Sequence, residues 1–324
     1  MLVLDRGEIS DRRIAEWPDQ VPRGALVVLN DTRVIKARVF GNRRDTGGRV
    51  ELLLVEPIRE QPRHEGRETW RALLRAGSVL RSGTCIDSEG FAARVVERAD
   101  DGTFVLELTT PLDVLAVLDK FGSVPIPPYL HRSAEPVDAE RYQTVYAGRS
   151  GSVAAPTAGL HLTANCLERL AGRGVEIATV TLHIGPGTFK PVTTDDLDHH
   201  TMHEEWFEVS EQLAASVREA HRRDAPVVAI GTTVVRALES ARDGHHGGLI
   251  RPGASRTRLL IQPGYAFEVV DSLLTNFHMP KSTLLALVSA FAGHRQTLSA
   301  YRHAVMQQYQ FLSYGDAMWI PRRA

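Results

Sequence analysis

Cysteine is nearly absent: Cys85 and Cys166 are the only two in 324 residues. They share no motif, which excludes a disulfide framework and a cysteine-built zinc site and fits a reducing, cytoplasmic setting. Long apolar runs are missing as well. The most apolar late stretch, Leu284 to Gly293, is too short to span a bilayer, and Asp5 and Arg6 interrupt the amino terminus before a signal-peptide core could form. The expectation is a soluble chain with no membrane partner. Glycine-rich phosphate motifs are also lacking. Lys281-Ser282-Thr283 has no preceding glycines, and no Gly-x-Gly-x-x-Gly run follows a strand, which disfavours nucleotide hydrolysis and a dinucleotide Rossmann site.

A strong charge of one sign is absent too, the formal net charge being -1. Charge is nevertheless uneven. Between Arg33 and Arg81 stand twelve Arg or Lys against six acids, a pattern expected of a localised polyanion contact. The alternative is a solvated strand surface using Arg on its outward face.

At 324 residues and 43% hydrophobic content, two domains are expected. Ala25 to Leu29 has the pattern of a buried strand, and Arg33 to Phe40 alternates as a second. Short strand-like runs follow at Arg49 to Val55, Thr69 to Leu74, Phe91 to Val96 and Thr103 to Leu108, separated by glycine turns, then a helix from Leu112 to Phe121. This spacing predicts a small closed β-barrel over 39–119. The remainder, 1–38 and 120–324, alternates helix and strand. Helices are expected at His161 to Gly172, Glu211 to Arg223 and Val234 to Arg242, strands at Val175 to Leu182, Val227 to Ile230, Leu259 to Gln262 and Phe267 to Val270, and two helices close the chain. The fold class is therefore α/β, a layered α/β domain with an inserted small β-barrel domain.

Two segments concentrate polar groups and small residues just before a helix: Glu140 to His161, and Thr275 to Thr283. Thr157 is placed to cap a helix beginning near Leu160. The pair suggests one shared site. Of thirteen histidines, His161, His183, His200, His203 and His278 sit at expected element ends, where general acid–base chemistry would use one or two of them. His200 and His203 are too closely spaced, without supporting ligands, to indicate a metal, and none is expected. Ile230-Gly231-Thr232-Thr233 offers backbone N–H groups at a helix start to an anionic or polar ligand group. Gly185-Pro186-Gly187 could let a flat ligand lie against backbone. The segment from Asp243 to Ser255, with His245 and His246, has the composition of a surface loop.

These segments together resemble the S-adenosylmethionine:tRNA ribosyltransferase-isomerase family of queuosine biosynthesis. The resemblance rests on Leu29-Asn30-Asp31-Thr32-Arg33-Val34, Arg141-Tyr142-Gln143-Thr144-Val145-Tyr146, Ala155-Pro156-Thr157-Ala158-Gly159-Leu160-His161, Thr181-Leu182-His183, Gly187-Thr188-Phe189, Gly231-Thr232-Thr233, Arg236-Ala237-Leu238-Glu239-Ser240, Thr275-Asn276-Phe277-His278 and Ser313-Tyr314-Gly315-Asp316-Ala317. It implies transfer and isomerisation of the ribosyl part of S-adenosylmethionine onto 7-aminomethyl-7-deazaguanine at the tRNA wobble position, giving epoxyqueuosine, adenine and methionine. The implied partner is tRNA; no protein partner is inferred. Base candidates are His161, His183, His203 and His278. Substrate-contact candidates are Asn30, Asp31, Arg33, Tyr142, Thr157, Thr232, Arg236, Asn276, Lys281 and Asp316. Family members usually carry a further stretch ahead of the strand that Met1 to Leu4 begins, so the competing reading is an N-terminally shortened, non-catalytic relative that binds tRNA or an adenosyl ligand.

Overall fold

The computed structural model describes residues 1–58, 64, 66–185, 197–200, 202–244 and 249–323. The chain forms two compact units, one of Met1–Thr32, Thr144–Arg149 and Pro156–Ala324, the other of Arg33–Gln143 and Ser150–Ala155. In chain order, β1 (Leu2–Asp5), β2 (Glu8–Asp11), α1 (Trp17–Gln20) and β3 (Leu26–Asn30) begin the first unit, and β4 (Thr32–Val34) leads out of it. Next come β5 (Arg38–Arg43), β6 (Arg49–Pro57), β7 (Arg67–Ala76), β8 (Cys85–Ser88), β9 (Phe91–Arg98), β10 (Phe104–Thr109), α2 (Val114–Phe121), α3 (Asp138–Arg141) and β11 (Arg149–Ser152). The first unit resumes with α4 (Ala164–Gly172), β12 (Glu176–Leu182), β13 (Glu205–Val209), α5 (Glu211–Arg222), β14 (Val227–Ile230) and α6 (Thr232–Ala241). It ends with β15 (Gly253–Thr257), β16 (Ser272–Asn276), α7 (Thr283–Ala292), α8 (His294–Met306) and β17 (Ala317–Ile320).

The first unit is built on a nine-stranded mixed sheet in the order β15-β13-β12-β3-β14-β16-β17-β1-β2. Its centre, β12-β3-β14-β16, is parallel. Every residue of β3 and β14 is buried. Such unbroken apolar strands need cover on both faces. On one face Val27 and Leu29 join Val228, Ile230, Leu170 and Trp17 in a common core, where Trp17 meets Trp319 edge-on at 5.7 Å. Leu26 and Val28 are equally buried and alternate to the other face.

In the second unit β5 to β10 close an antiparallel barrel in the order β10-β7-β6-β5-β8-β9. Closure removes the exposed edges that short strands otherwise present. Val50, Leu52 and Leu54 alternate inward along β6 and pack with Trp70, Ile86, Val95 and Leu106, while Val114, Val117 and Leu118 of α2 join the same core. Asp113 caps that helix, accepting from Leu115 and Ala116 N–H, so it starts after Asp113 rather than at Leu112. Segment 39–119 of the sequence reading lies within this unit.

Several expected elements fall elsewhere. The run from Arg33 to Phe40 is two strands, broken by Ile35-Lys36-Ala37, and β8 supplies a barrel strand too short to announce itself. Phe267 to Val270 is not a strand. The buried Glu239 carboxylate on α6 accepts from the N–H groups of Glu268, Val269 and Val270 and from the Tyr265 hydroxyl, which leaves no ladder to join. Leu259 to Gln262 is likewise irregular, its Leu259 N–H donating to the Thr257 hydroxyl. The strand is instead β16, which absorbs Thr275 and Asn276. The helix expected from His161 is a 3-10 turn, Thr157–His161, followed by α4. Thr163, not Thr157, is the cap, accepting from Cys166 N–H. Residues 186–189 of the glycine-proline segment, with His245 and His246, lie outside the described residues.

Candidate active site

The parallel strands β12, β3, β14 and β16 end along one edge at Leu182, Asn30, Ile230 and Asn276. In open α/β sheets this carboxyl edge is where ligands bind. β17 runs antiparallel to β16 with Asn276 opposite Ala317, so Asp316 arrives at the same edge.

Asn30 is fully buried and uses its amide to hold strand ends together. Its Nδ2 donates to the Leu182 carbonyl at 2.9 Å and reaches Thr233 Oγ1 at 3.4 Å, while its Oδ1 accepts from Leu182 and Thr32 N–H. It therefore shapes the site rather than facing a ligand. Asp31 accepts from the Thr181 hydroxyl at 2.6 Å, and its carbonyl accepts from Gly148 and Arg149 N–H. Thr32 Oγ1 lies 2.8 Å from His183 Nδ1. The partly exposed His183 ring stacks on Trp206, with centroids 4.9 Å apart, so a hydroxyl and an indole fix its orientation.

Beyond β14, Gly231 adopts φ +93, a left-handed value that favours glycine, and donates to the Leu274 carbonyl. It delivers the chain into α6, whose first turn has no side-chain cap. The N–H groups and positive dipole end of that helix welcome an anionic group, with the buried Thr232 hydroxyl beside them. One turn along, Arg236 forms a buried ion pair with Glu205 and donates Nε–H to the Leu259 carbonyl. Glu205 also accepts from Gly185 N–H. Arg236 is thus a strut between α6 and β13, although its Nη2 has no partner among the described residues.

The 3-10 turn Thr157–His161 lies against β16, and Asn276 Nδ2 is 3.2 Å from His161 Nε2. Burial pulls the His161 pKa down to about 4 against a smaller opposing pull from Asp316. His161 is neutral at physiological pH. His278 is buried, its Nε2 3.0 Å from Thr275 Oγ1, its backbone N–H donating to the Tyr301 hydroxyl, and burial alone brings its pKa to about 4. Asp316 accepts from Gln310 N–H.

Asn30, Asp31, Thr157, His161, His183, Thr232, Asn276 and Asp316 therefore belong to one sheet edge. Lys281 is exposed in a left-handed turn just before α7, and Ser282 beside it serves as that helix's cap. His203 is partly exposed two residues ahead of β13. Arg33, exposed, and Tyr142, fully buried, belong to the other unit. Sequence reasoning missed Thr32, Trp206 and the pair Tyr146–Gly159. The Tyr146 hydroxyl is buried with no hydrogen-bond partner among the described residues, and burial, reinforced by Asp31, raises its pKa. Among the described residues no group of three or more His, Cys, Asp or Glu could hold a metal, and no helix is long and apolar enough to cross a membrane.

The site's chemistry is that of two oriented imidazoles, of which His161 is held neutral by burial, beside a helix amino terminus without a side-chain cap. A family model described as "Queuosine biosynthesis protein" matches residues 1–320. The S-adenosylmethionine:tRNA ribosyltransferase-isomerase of Sorangium cellulosum (strain So ce56) is 51% identical, covering 99% of this chain and 91% of its own length. That of Anaeromyxobacter sp. (strain Fw109-5) is 48% identical, covering 99% and 92%. A crystal structure of S-adenosylmethionine tRNA ribosyltransferase from Thermotoga maritima superposes with TM-score 0.51 at 33% identity, covering 98% of this chain and 91% of that one. With a full-length family match and relatives this similar, the chain belongs to the queuosine biosynthesis family of S-adenosylmethionine:tRNA ribosyltransferase-isomerases.

Proposed function

We propose that this protein is an enzyme that transfers and isomerises the ribosyl moiety of S-adenosylmethionine onto 7-aminomethyl-7-deazaguanine at the wobble position of tRNA, yielding epoxyqueuosine-tRNA, adenine and methionine. The observation that carries this reading is the meeting of the His161–Asn276 pair, the Thr32-held His183 and the uncapped start of α6 at one carboxyl edge. Each has a task in the chemistry. The sulfonium acidifies the carbon beside it, so an imidazole that is neutral at pH 7 suffices as base. Amides at the start of α6 suit the methionyl carboxylate, and Asp316 suits its ammonium. Attack by the aminomethyl nitrogen then requires adenine to depart with a hydrogen-bond donor at hand.

The RNA contact does not reduce to the basic stretch between Arg33 and Arg81. The second unit holds seventeen Arg or Lys and seventeen Asp or Glu, a formal charge of zero. Several arginines are paired within it: Arg38 with Glu51, Arg44 with Asp87 and Arg94 with Glu107. Exposed Arg33, Arg75 and Arg81 form no ion pair among the described residues and are the candidates for phosphate. The test is incubation of purified protein with S-adenosylmethionine and tRNA carrying the aminomethyl base. Release of adenine and methionine is expected; no adenine with verified substrate refutes the reading in favour of a non-catalytic binding relative.

A further inference from the structure

We infer that Asn276 is a positioning residue that holds His161 as its Nδ1–H tautomer, making His161 a hydrogen-bond donor to the reacting substrate rather than the base that removes a proton from it. The inference rests on the ribosyl-transfer reading for its consequence but not for its geometry. Asn276 is buried at the end of β16, and its amide meets two groups: the Leu312 carbonyl oxygen, 3.0 Å from Nδ2, and His161 Nε2, 3.2 Å from the same nitrogen. A carbonyl oxygen can only accept, so the atom facing it must be the amide nitrogen; turning the amide over would set oxygen against oxygen. Nδ2 carries two hydrogens. One is committed to Leu312, and the other points at His161 Nε2, which must accept it.

A neutral imidazole has one donor and one acceptor nitrogen. With Nε2 accepting, the proton resides on Nδ1. To act as a base through Nε2, His161 would have to break the Asn276 bond and then point a new N–H at an N–H. Those facing donors are unfavourable in a buried site, where polar groups without partners are costly. Nδ1–H is left to give a hydrogen bond to an acceptor on the substrate, and proton removal falls to another group. Among the described residues, the charges that act on His161 are Asp316 and the amine of Met1, while the hydrogen bond at Nε2 is to Asn276. Asn276 Oδ1 has no partner among the described residues, so nothing competes for the other orientation of the amide.

The test is long-range proton–nitrogen correlation spectroscopy of 15N-labelled protein at pH 7 without substrate, with His161→Ala used to assign the ring. Expected is a protonated Nδ1 and a non-protonated Nε2. A His161 ring protonated at Nε2 overturns the inference. In Asn276→Asp the carboxylate accepts from the ring, so the proton should move to Nε2. Turnover should then fall by about a hundredfold, at the low end of what one positioned proton-handling group contributes, with KM for S-adenosylmethionine little changed. Full turnover in Asn276→Asp with a switched tautomer overturns the positioning role. If wild-type His161 shows Nδ1–H but His161→Ala retains full turnover, the tautomer stands and the part given to His161 in the reaction fails. If no variant or wild type releases adenine, the functional reading fails while the spectrum remains decisive.

Discussion

Gly159→Ala should destabilise the first unit through clashes with two side chains, Tyr146 above all. A Cβ at Gly159 would fall far inside van der Waals contact of Tyr146 Oη, 2.8 Å from Thr144 Cγ2 and 3.0 Å from Tyr146 Cζ. The Gly159 backbone is not in the left-handed region, so alanine is excluded by volume rather than by conformation. Overpacking of this kind costs about 1–3 kcal/mol, occasionally more. The Tyr146 hydroxyl is already buried, which argues for the upper end. At roughly 2–4 °C per kcal/mol for a unit of this size, the midpoint should drop about 6–12 °C. Thermal unfolding followed by circular dichroism measures it. Tyr146→Phe alone should leave stability unchanged or raised, since it removes a buried hydroxyl without a described partner. In the double variant it should recover about 1–2 kcal/mol of the alanine penalty. A loss below about 0.5 kcal/mol in Gly159→Ala, or strict additivity in the double variant, refutes the packing argument.

Arg236→Ala should cost about 3–5 kcal/mol in denaturant unfolding, because it strands the buried Glu205 carboxylate; Arg236→Met with Glu205→Leu should lose clearly less, and equal losses would show that the charge is not the cause. His278 binds its proton near pH 4 when folded and near 6.5 when unfolded. Between those values the unfolded chain holds more protons, so stability is complete above about pH 6.5 and falls as pH drops toward 4. His278→Gln should flatten that slope in urea titrations at successive pH values, and an unchanged slope would contradict the assignment. Affinity for tRNA should fall steeply with added salt. Arg33→Ala with Arg81→Ala should lower affinity and salt dependence together, whereas Arg44→Ala, whose charge Asp87 already balances, should change little in a filter-binding assay.

Much of the architecture was legible because burial leaves a periodic trace. Val227 to Ile230 is apolar throughout and is a strand with those bounds, and the alternation of Val50, Leu52 and Leu54 marks a barrel interior. Legibility failed where a distant partner decides. Phe267 to Val270 has the composition of a strand, but its N–H groups answer to Glu239, about thirty positions earlier. For the candidate site, placement at strand ends was legible and the local partners were not. Asn30 reads in sequence as a ligand contact, and only the fold reveals that Leu182 and Thr233 occupy its amide N–H groups. Gly159 carries no local signal at all, because its reason is the Tyr146 ring. No sequence pattern could report the direction of the Asn276 amide, which depends on the carbonyl of Leu312.

The four donors gathered by Glu239 have a consequence for how the first unit loosens. The N–H groups of Glu268, Val269 and Val270 answer to one carboxylate on α6, not to any neighbouring strand, so those three amides should exchange with solvent only when that helix opens. A loop with no regular structure thereby shares the cooperative fate of a helix, and its slow exchange would be the mark of a single buried anchor.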